Sequence, residues 1–185
     1  VAAGGYHSSF LKIDGTLWAM GRNTEGQLGD GTTVQRSSPV QVAAGVSAVA
    51  AGGRHSLYLK TDGGLWAMGN NSSGQLGDGT TTQRNSPVQV ATGVSAVAAG
   101  GSHSLYLKTD GTLWAMGDNF CGQLGDGTYN NTNRPEMIVT SNVTAIAAGG
   151  YHSLFLKSDG SLWAMGMNGC GQLGDGTYDN TNRPV

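Results

Sequence analysis

At 185 residues the chain is long enough for one domain with its own core. Hydrophobic residues make up 38%, charged residues 12%, and glycine fills 32 positions. The net charge is −2 with no lysine- or arginine-rich stretch, which excludes the basic footprint that nucleic acid or anionic lipid demands.

No apolar run approaches a membrane span and no signal peptide is read, so no membrane insertion is expected. The chain opens at Val1, inside a strand, and is expected to be processed or a slice of something longer. His7, His55, His103 and His152 then recur at steps of 48, 48 and 49, as do Trp18, Trp66, Trp114 and Trp163. This divides the chain into units 1–48, 49–96, 97–145 and 146–185, the last of them incomplete. The third carries one extra residue after Pro135.

Along one unit, short apolar stretches alternate with turn signals. VSAVAAGG (46–53) predicts a small-residue strand ending at a glycine pair. HSLYLKTDG (55–63) alternates about Leu57 and Leu59 and turns at Asp62 and Gly63. LWAMG (65–69) is apolar on both sides, as in a strand held between neighbouring sheets. SPVQV (86–90) carries Pro87 beside its start, which suits the first position of an outer edge strand. Each unit reads as a four-stranded antiparallel meander of β-propeller blade size, with no helix, and such sheets bury their faces only by stacking. The expected fold is all-β: four propeller blades, part of a larger or oligomeric propeller.

The glycine-rich GQLGDGT returns at 26–32, 74–80, 122–128 and 171–177. It reverses the order of the dinucleotide fingerprint, lacks the lysine of a phosphate-binding loop, and lacks the alternating oxygens of a calcium loop. The expectation is a structural loop: glycines at positive φ, Asp30 capping a turn, Leu28 anchoring to the core. The histidines are expected to make structural hydrogen bonds, and the tryptophans to be buried core. Cys121 and Cys170 share one repeat position and are expected to be free thiols. His7 and Ser8 point to opposite faces of a strand, so neither they nor their equivalents form a nucleophile–base pair. No catalytic residue, cofactor or metal is expected. The sequons at Asn71, Asn130 and Asn142 fall out of register and are read as chance.

Four positions vary while their neighbours stay fixed. Before the histidine stand Tyr6, Arg54, Ser102 and Tyr151. After the third strand stand Arg22, Asn70, Asp118 and Met167. Two residues on come Thr24, Ser72, Phe120 and Gly169, then Glu25, Ser73, Cys121 and Cys170. Strand direction places all of them on one rim, beside a long connection of the kind that carries function. A protein partner is expected there, with self-association through exposed end blades.

The pattern AAGG-x-HS-x-x-LK-x-DG-x-LWAMG-x-N-x-x-GQLGDGT resembles the regulator-of-chromosome-condensation repeat family over the whole chain. That resemblance implies a propeller, usually of seven blades, against fewer than four complete units here. It implies three roles. The first is a bacterial, secreted or cell-surface protein binder similar to propeller-type β-lactamase inhibitors. The second is a structural array within a large surface protein. The third is a guanine-nucleotide exchange factor, which would be expected to carry an inserted hairpin and a basic tail.

Overall fold

The computed structural model describes all 185 residues, and every regular element in it is a strand. The first sheet holds β1 (Ala2–Ala3), β2 (His7–Leu11), β3 (Leu17–Gly21) and β4 (Arg36–Ala43). The second holds β5 (Val46–Ala51), β6 (His55–Lys60), β7 (Leu65–Gly69) and β8 (Arg84–Ala91). The third holds β9 (Val94–Ala99), β10 (His103–Lys108), β11 (Leu113–Gly117) and β12 (Thr132–Val139). The fourth holds β13 (Val143–Ala148), β14 (His152–Lys157) and β15 (Leu162–Gly166). Its outer edge is begun by the Gly166–Thr181 bridge and the paired Ala164 and Val185 backbones. Strand order follows chain order in every sheet, each pair antiparallel, as a meander requires.

The short strands β1, β5, β9 and β13 line a central opening walled by alanine and glycine alone. Glycine is needed there for close approach rather than for turning. A Cβ on Gly4 would stand 2.5 Å from the His7 ring and 2.6 Å from the Gly52 carbonyl. Gly5 N–H donates to Gly52 C=O, Gly53 to Gly100, and Gly101 to Gly150, so the inner edges are bonded sheet to sheet.

The core lies between sheets. Leu57, Leu59 and Leu65 of the second sheet pack with Tyr106 and Met116 of the third, and Leu105, Leu107 and Leu113 with Phe155 and Met165 of the fourth. Two expectations need correction. Pro87 lies fourth in β8 rather than first, where the ladder skips from Val88 to Arg84 and the missing N–H costs no bond. The tryptophans are half-buried, not core: Trp66 lies flat on Tyr58 at 6.2 Å, and Lys60 Nζ sits 4.7 Å over its ring. The equivalent lysines stand over Trp18, Trp114 and Trp163, so an aliphatic stem and a cation cover what the next sheet does not. The GQLGDGT loop has the expected positive-φ glycines, turn-capping Asp30 and buried Leu28, and it also docks on the following sheet. The extra residue of the third unit falls in the outer connection, at 140–142, where Asn142 takes the positive φ (67°) that Gly45 and Gly93 supply elsewhere.

Candidate functional site

The rim is built on residues that hold the third-to-fourth strand connection in place. Asn23, buried, donates from Nδ2 to Asp30 Oδ1 and to the Thr32 and Val34 carbonyls, while its Oδ1 accepts from Leu28 N–H. Asn71 repeats the arrangement in full, and Asn119 and Asn168 repeat it with a single carbonyl, that of Thr128 or Thr177. Sequence reasoning gave these asparagines no role, although their recurrence in all four units was the available signal. Burial disfavours charge on Asp30, but hydrogen bonds from Thr32, Arg36 and Asn23 outweigh it and hold the carboxyl below its usual range. Arg36 reaches Asp30 at 2.7 Å and Arg84 reaches Asp78 in the same way.

The loop then clamps the next sheet. Gly31 N–H donates to Asn85 C=O, Gly79 to Asn133, and Gly127 to Asn182. Leu28, Leu76 and Leu124 are fully buried. Below the clamp, His7 Nε2 lies 2.7 Å from Ser56 Oγ, and that hydroxyl donates to Gln27 C=O. The serine proton is therefore committed to a carbonyl, and the ring Nε2–H is the donor to the serine oxygen. His55 with Ser104 and His103 with Ser153 repeat the bond. Burial pushes the His7 and His103 rings down to about 4 and His55 to about 3. A neutral, buried ring bonded to a hydroxyl whose proton points elsewhere is a structural staple.

On this frame the variable positions meet. Arg22 N–H donates to Tyr6 C=O, Asn70 to Arg54, Asp118 to Ser102, and Met167 to Tyr151. Gln27 Nε2 donates to Glu25, Gln75 to Asn70 and Gln123 to Asp118, tying in the rest of the loop. Between the first two sheets, Glu25 accepts from Arg22 at 3.1 Å and from Arg54 at 3.5 Å, and Arg22 stands over the Tyr6 ring. Glu25, one of the variable positions where a partner is expected, is largely covered by these two arginines. Tyr6, Thr24, Arg54, Ser72, Phe120, Tyr151, Gly169 and Cys170 are exposed. Arg22, Asn70, Ser73, Ser102, Asp118, Cys121 and Met167 are half-covered. Phe120 is 82% exposed, a large apolar side chain with nothing over it. Both cysteines are free, and burial together with the Asp118 charge pushes the Cys121 thiol up, away from reactive thiolate. The chemistry available is adhesive: cations at the first junction, hydroxyls at Ser73 and Ser102, and aromatic and apolar groups at Phe120, Tyr151 and Met167.

Radially stacked four-stranded meanders around a central opening, with one elaborated rim, define a sector of a β-propeller. The model of the RCC1-like domain matches residues 1–185, and the chain belongs to that family. Among solved structures, human WBSCR16 superposes with a TM-score of 0.89 at 30% identity, over 99% of this chain and 51% of its own. Prp20p from Saccharomyces cerevisiae gives 0.84 at 25% identity, over 100% and 49%. Yeast RCC1 (Prp20) bound to Kap60 gives 0.87 at 24%, over 100% and 47%. The chain thus spans about half the length of these relatives. No curated protein matches it significantly.

Proposed function

We propose that this chain is a non-enzymatic protein-binding scaffold that presents the rim of Tyr6, Arg22, Arg54, Asp118, Phe120, Tyr151 and Met167 to a protein partner. The observation that carries this reading is the backbone bond repeated in all four sheets from the residue after the third strand to the residue before the histidine. It fixes the rim backbone identically while the side chains on it change from cationic to aromatic, which is how a rigid scaffold acquires specificity. The relatives support a protein rather than a nucleic-acid partner: yeast RCC1 was solved bound to Kap60, and Prp20p is described by its binding to Gsp1p and histones. The near-identity of the units favours a second reading, a structural array of a larger protein. Copies of the chain also associate through their end blades.

A photo-crosslinking residue at Phe120, compared with one at Thr109 on the opposite rim, tests the proposal. A discrete adduct from Phe120 alone supports it, and equal or absent adducts from both positions favour the array.

A further inference from the structure

The rim carries one pair of corresponding positions at each internal junction, and the first pair leaves a cation with most of its donors free. Glu25, in the loop of the first sheet, and Arg54, before the histidine of the second, meet across their junction at 3.5 Å. The same two repeat positions hold Ser73 and Ser102 at the second junction, and Cys121 and Tyr151 at the third. Along the rim the pairs therefore pass from charged to hydroxyl to apolar. A guanidinium carries five N–H donors, and the contact with Glu25 is all that the Arg54 side chain makes. Arg22 stands closer to Glu25, at 3.1 Å, and is also held by Thr24. Arg54, 52% exposed, thus presents an open planar fork, and the one carboxylate it touches is shared with Arg22. The other arginines are placed differently. Arg36 and Arg84 pair with Asp30 and Asp78, and Arg134 lies in the outer strand β12 against Gly79. On the third and fourth sheets the rim offers Phe120, 82% exposed, and the exposed ring of Tyr151. Asp118, whose carboxylate accepts from Gln123, comes just before Phe120 in the same loop.

We infer that the rim takes a segment of a partner protein that carries an aspartate or glutamate over Arg54 and a large apolar side chain over Phe120 and Tyr151. The acid makes a two-pronged pair with the Arg54 fork, a geometry that a carboxylate fits and an ammonium or an apolar group does not. Asp118 sets the direction, because it repels an acid placed over the third sheet and so keeps the acid at the first junction. Ser73 and Ser102, between the two anchors, offer hydroxyls that accept or donate to the segment's backbone without selecting a charge. The apolar contact supplies the buried area. The ion pair supplies register and discrimination, since covering Arg54 with any other side chain leaves a desolvated cation unpaired. All of these groups lie at junctions internal to the chain. The inference rests on the rim reading proposed above and adds the chemistry and direction of what the rim holds.

Random-sequence peptides displayed on phage and selected on the immobilised 185-residue chain test it, with parallel selections on Arg54→Glu, Phe120→Ser and the opposite-rim variant Thr109→Lys. The expected result is that peptides from the parent chain share an aspartate or glutamate and, at a fixed spacing, an aromatic or large aliphatic residue. Arg54→Glu replaces the shared acid with lysine or arginine, Phe120→Ser removes the apolar position, and Thr109→Lys changes neither. A synthetic peptide from the parent selection binds Arg54→Lys about tenfold more weakly in fluorescence anisotropy, because lysine keeps the charge and loses the fork. A shared acid that persists on Arg54→Glu, or a shared base on the parent chain, overturns the carboxylate assignment, and loss of binding on Phe120→Ser in that case still upholds the rim. Peptides lost on Thr109→Lys alone overturn the rim reading itself. Peptides with no shared sequence overturn recognition of a segment, and the Phe120 adduct then judges the rim on its own. Circular dichroism checks that each variant keeps its sheet content.

Discussion

His55 Nε2 and Ser104 Oγ lie 2.9 Å apart, fully buried, on different sheets and 49 residues apart in the chain. The hydroxyl donates its own hydrogen bond to the Gln75 carbonyl, so a single serine satisfies two polar groups that water cannot reach. Ser104→Ala strands both, and stranded buried groups cost about 1–3 kcal/mol each. The expected loss is about 2–4 kcal/mol in chemical denaturation. Ser8→Ala, at the same repeat position in the first of the four sheets but only half-buried, is expected to cost about 0.5 kcal/mol or less in the 185-residue chain. Equal costs would show that the junction bond is not what buries the serine.

The same staples make stability fall in mild acid. Burial holds His7 and His103 at about 4 and His55 at about 3, against the ordinary value near 6.5. Between those values the unfolded chain binds protons that the folded chain refuses, so stability is full above pH ~6.5 and declines as pH drops toward 4. A tenfold loss of proton affinity on folding is worth about 1.4 kcal/mol, so the three rings together remove several kcal/mol. Asp30 and Asp78, held below the usual carboxylate range, add their loss only below pH ~4. Melting temperatures at pH 7.5, 5.5 and 4.5 check this, and a flat profile over that range would contradict buried neutral rings.

Glycine in the recurring loop serves two purposes that one substitution pair separates. Gly74 has φ +84°, and a Cβ there would stand 2.5 Å from the Asn133 backbone of the next sheet. Gly174 has φ +71° and its Cβ would meet nothing, though Gly171 earlier in that loop touches Tyr178. Gly174→Ala is expected to cost about 1–2 kcal/mol, the left-handed backbone strain alone. Gly74→Ala is expected to cost clearly more, because the loop must lift off the next sheet. Thermal denaturation of the two variants gives the comparison.

Much of this architecture is legible in the repeat. Alternation about Leu57 and Leu59, the double-sided LWAMG and the glycine pair gave strands in the right order, because period and turn chemistry are local. Contacts between units were not legible. Nothing in a one-dimensional pattern shows that Gly74 faces the Asn133 backbone, or that His55 seeks the serine of the next unit rather than its own neighbour. The tryptophans misled for a related reason: LWAMG is apolar throughout, but the cover over Trp66 comes from Lys60, a charged residue acting through its stem. Of the rim, the positions could be read from their variability. The covering of Glu25 by Arg22 and Arg54 could not, since Arg54 comes from another unit.

The rim can be altered without cost to the fold. Arg22 and Arg54 are 33% and 52% exposed around a Glu25 that is 13% exposed, and with both cations open to solvent such surface pairs contribute about 1 kcal/mol or less. Glu25→Gln is therefore expected to shift the melting temperature by no more than a few degrees.

The rim's role is tested most directly by partner retention on three immobilised forms: the parent chain, a rim variant with Arg54→Glu, Phe120→Ser and Tyr151→Ser, and an opposite-rim control with Ile13→Ser and Thr109→Lys. The quantity measured is the amount of the principal protein retained from the native source. Loss of that protein from the rim variant, at least tenfold, with full retention on the control is the predicted result. Equal retention on all three forms would contradict a rim-borne function.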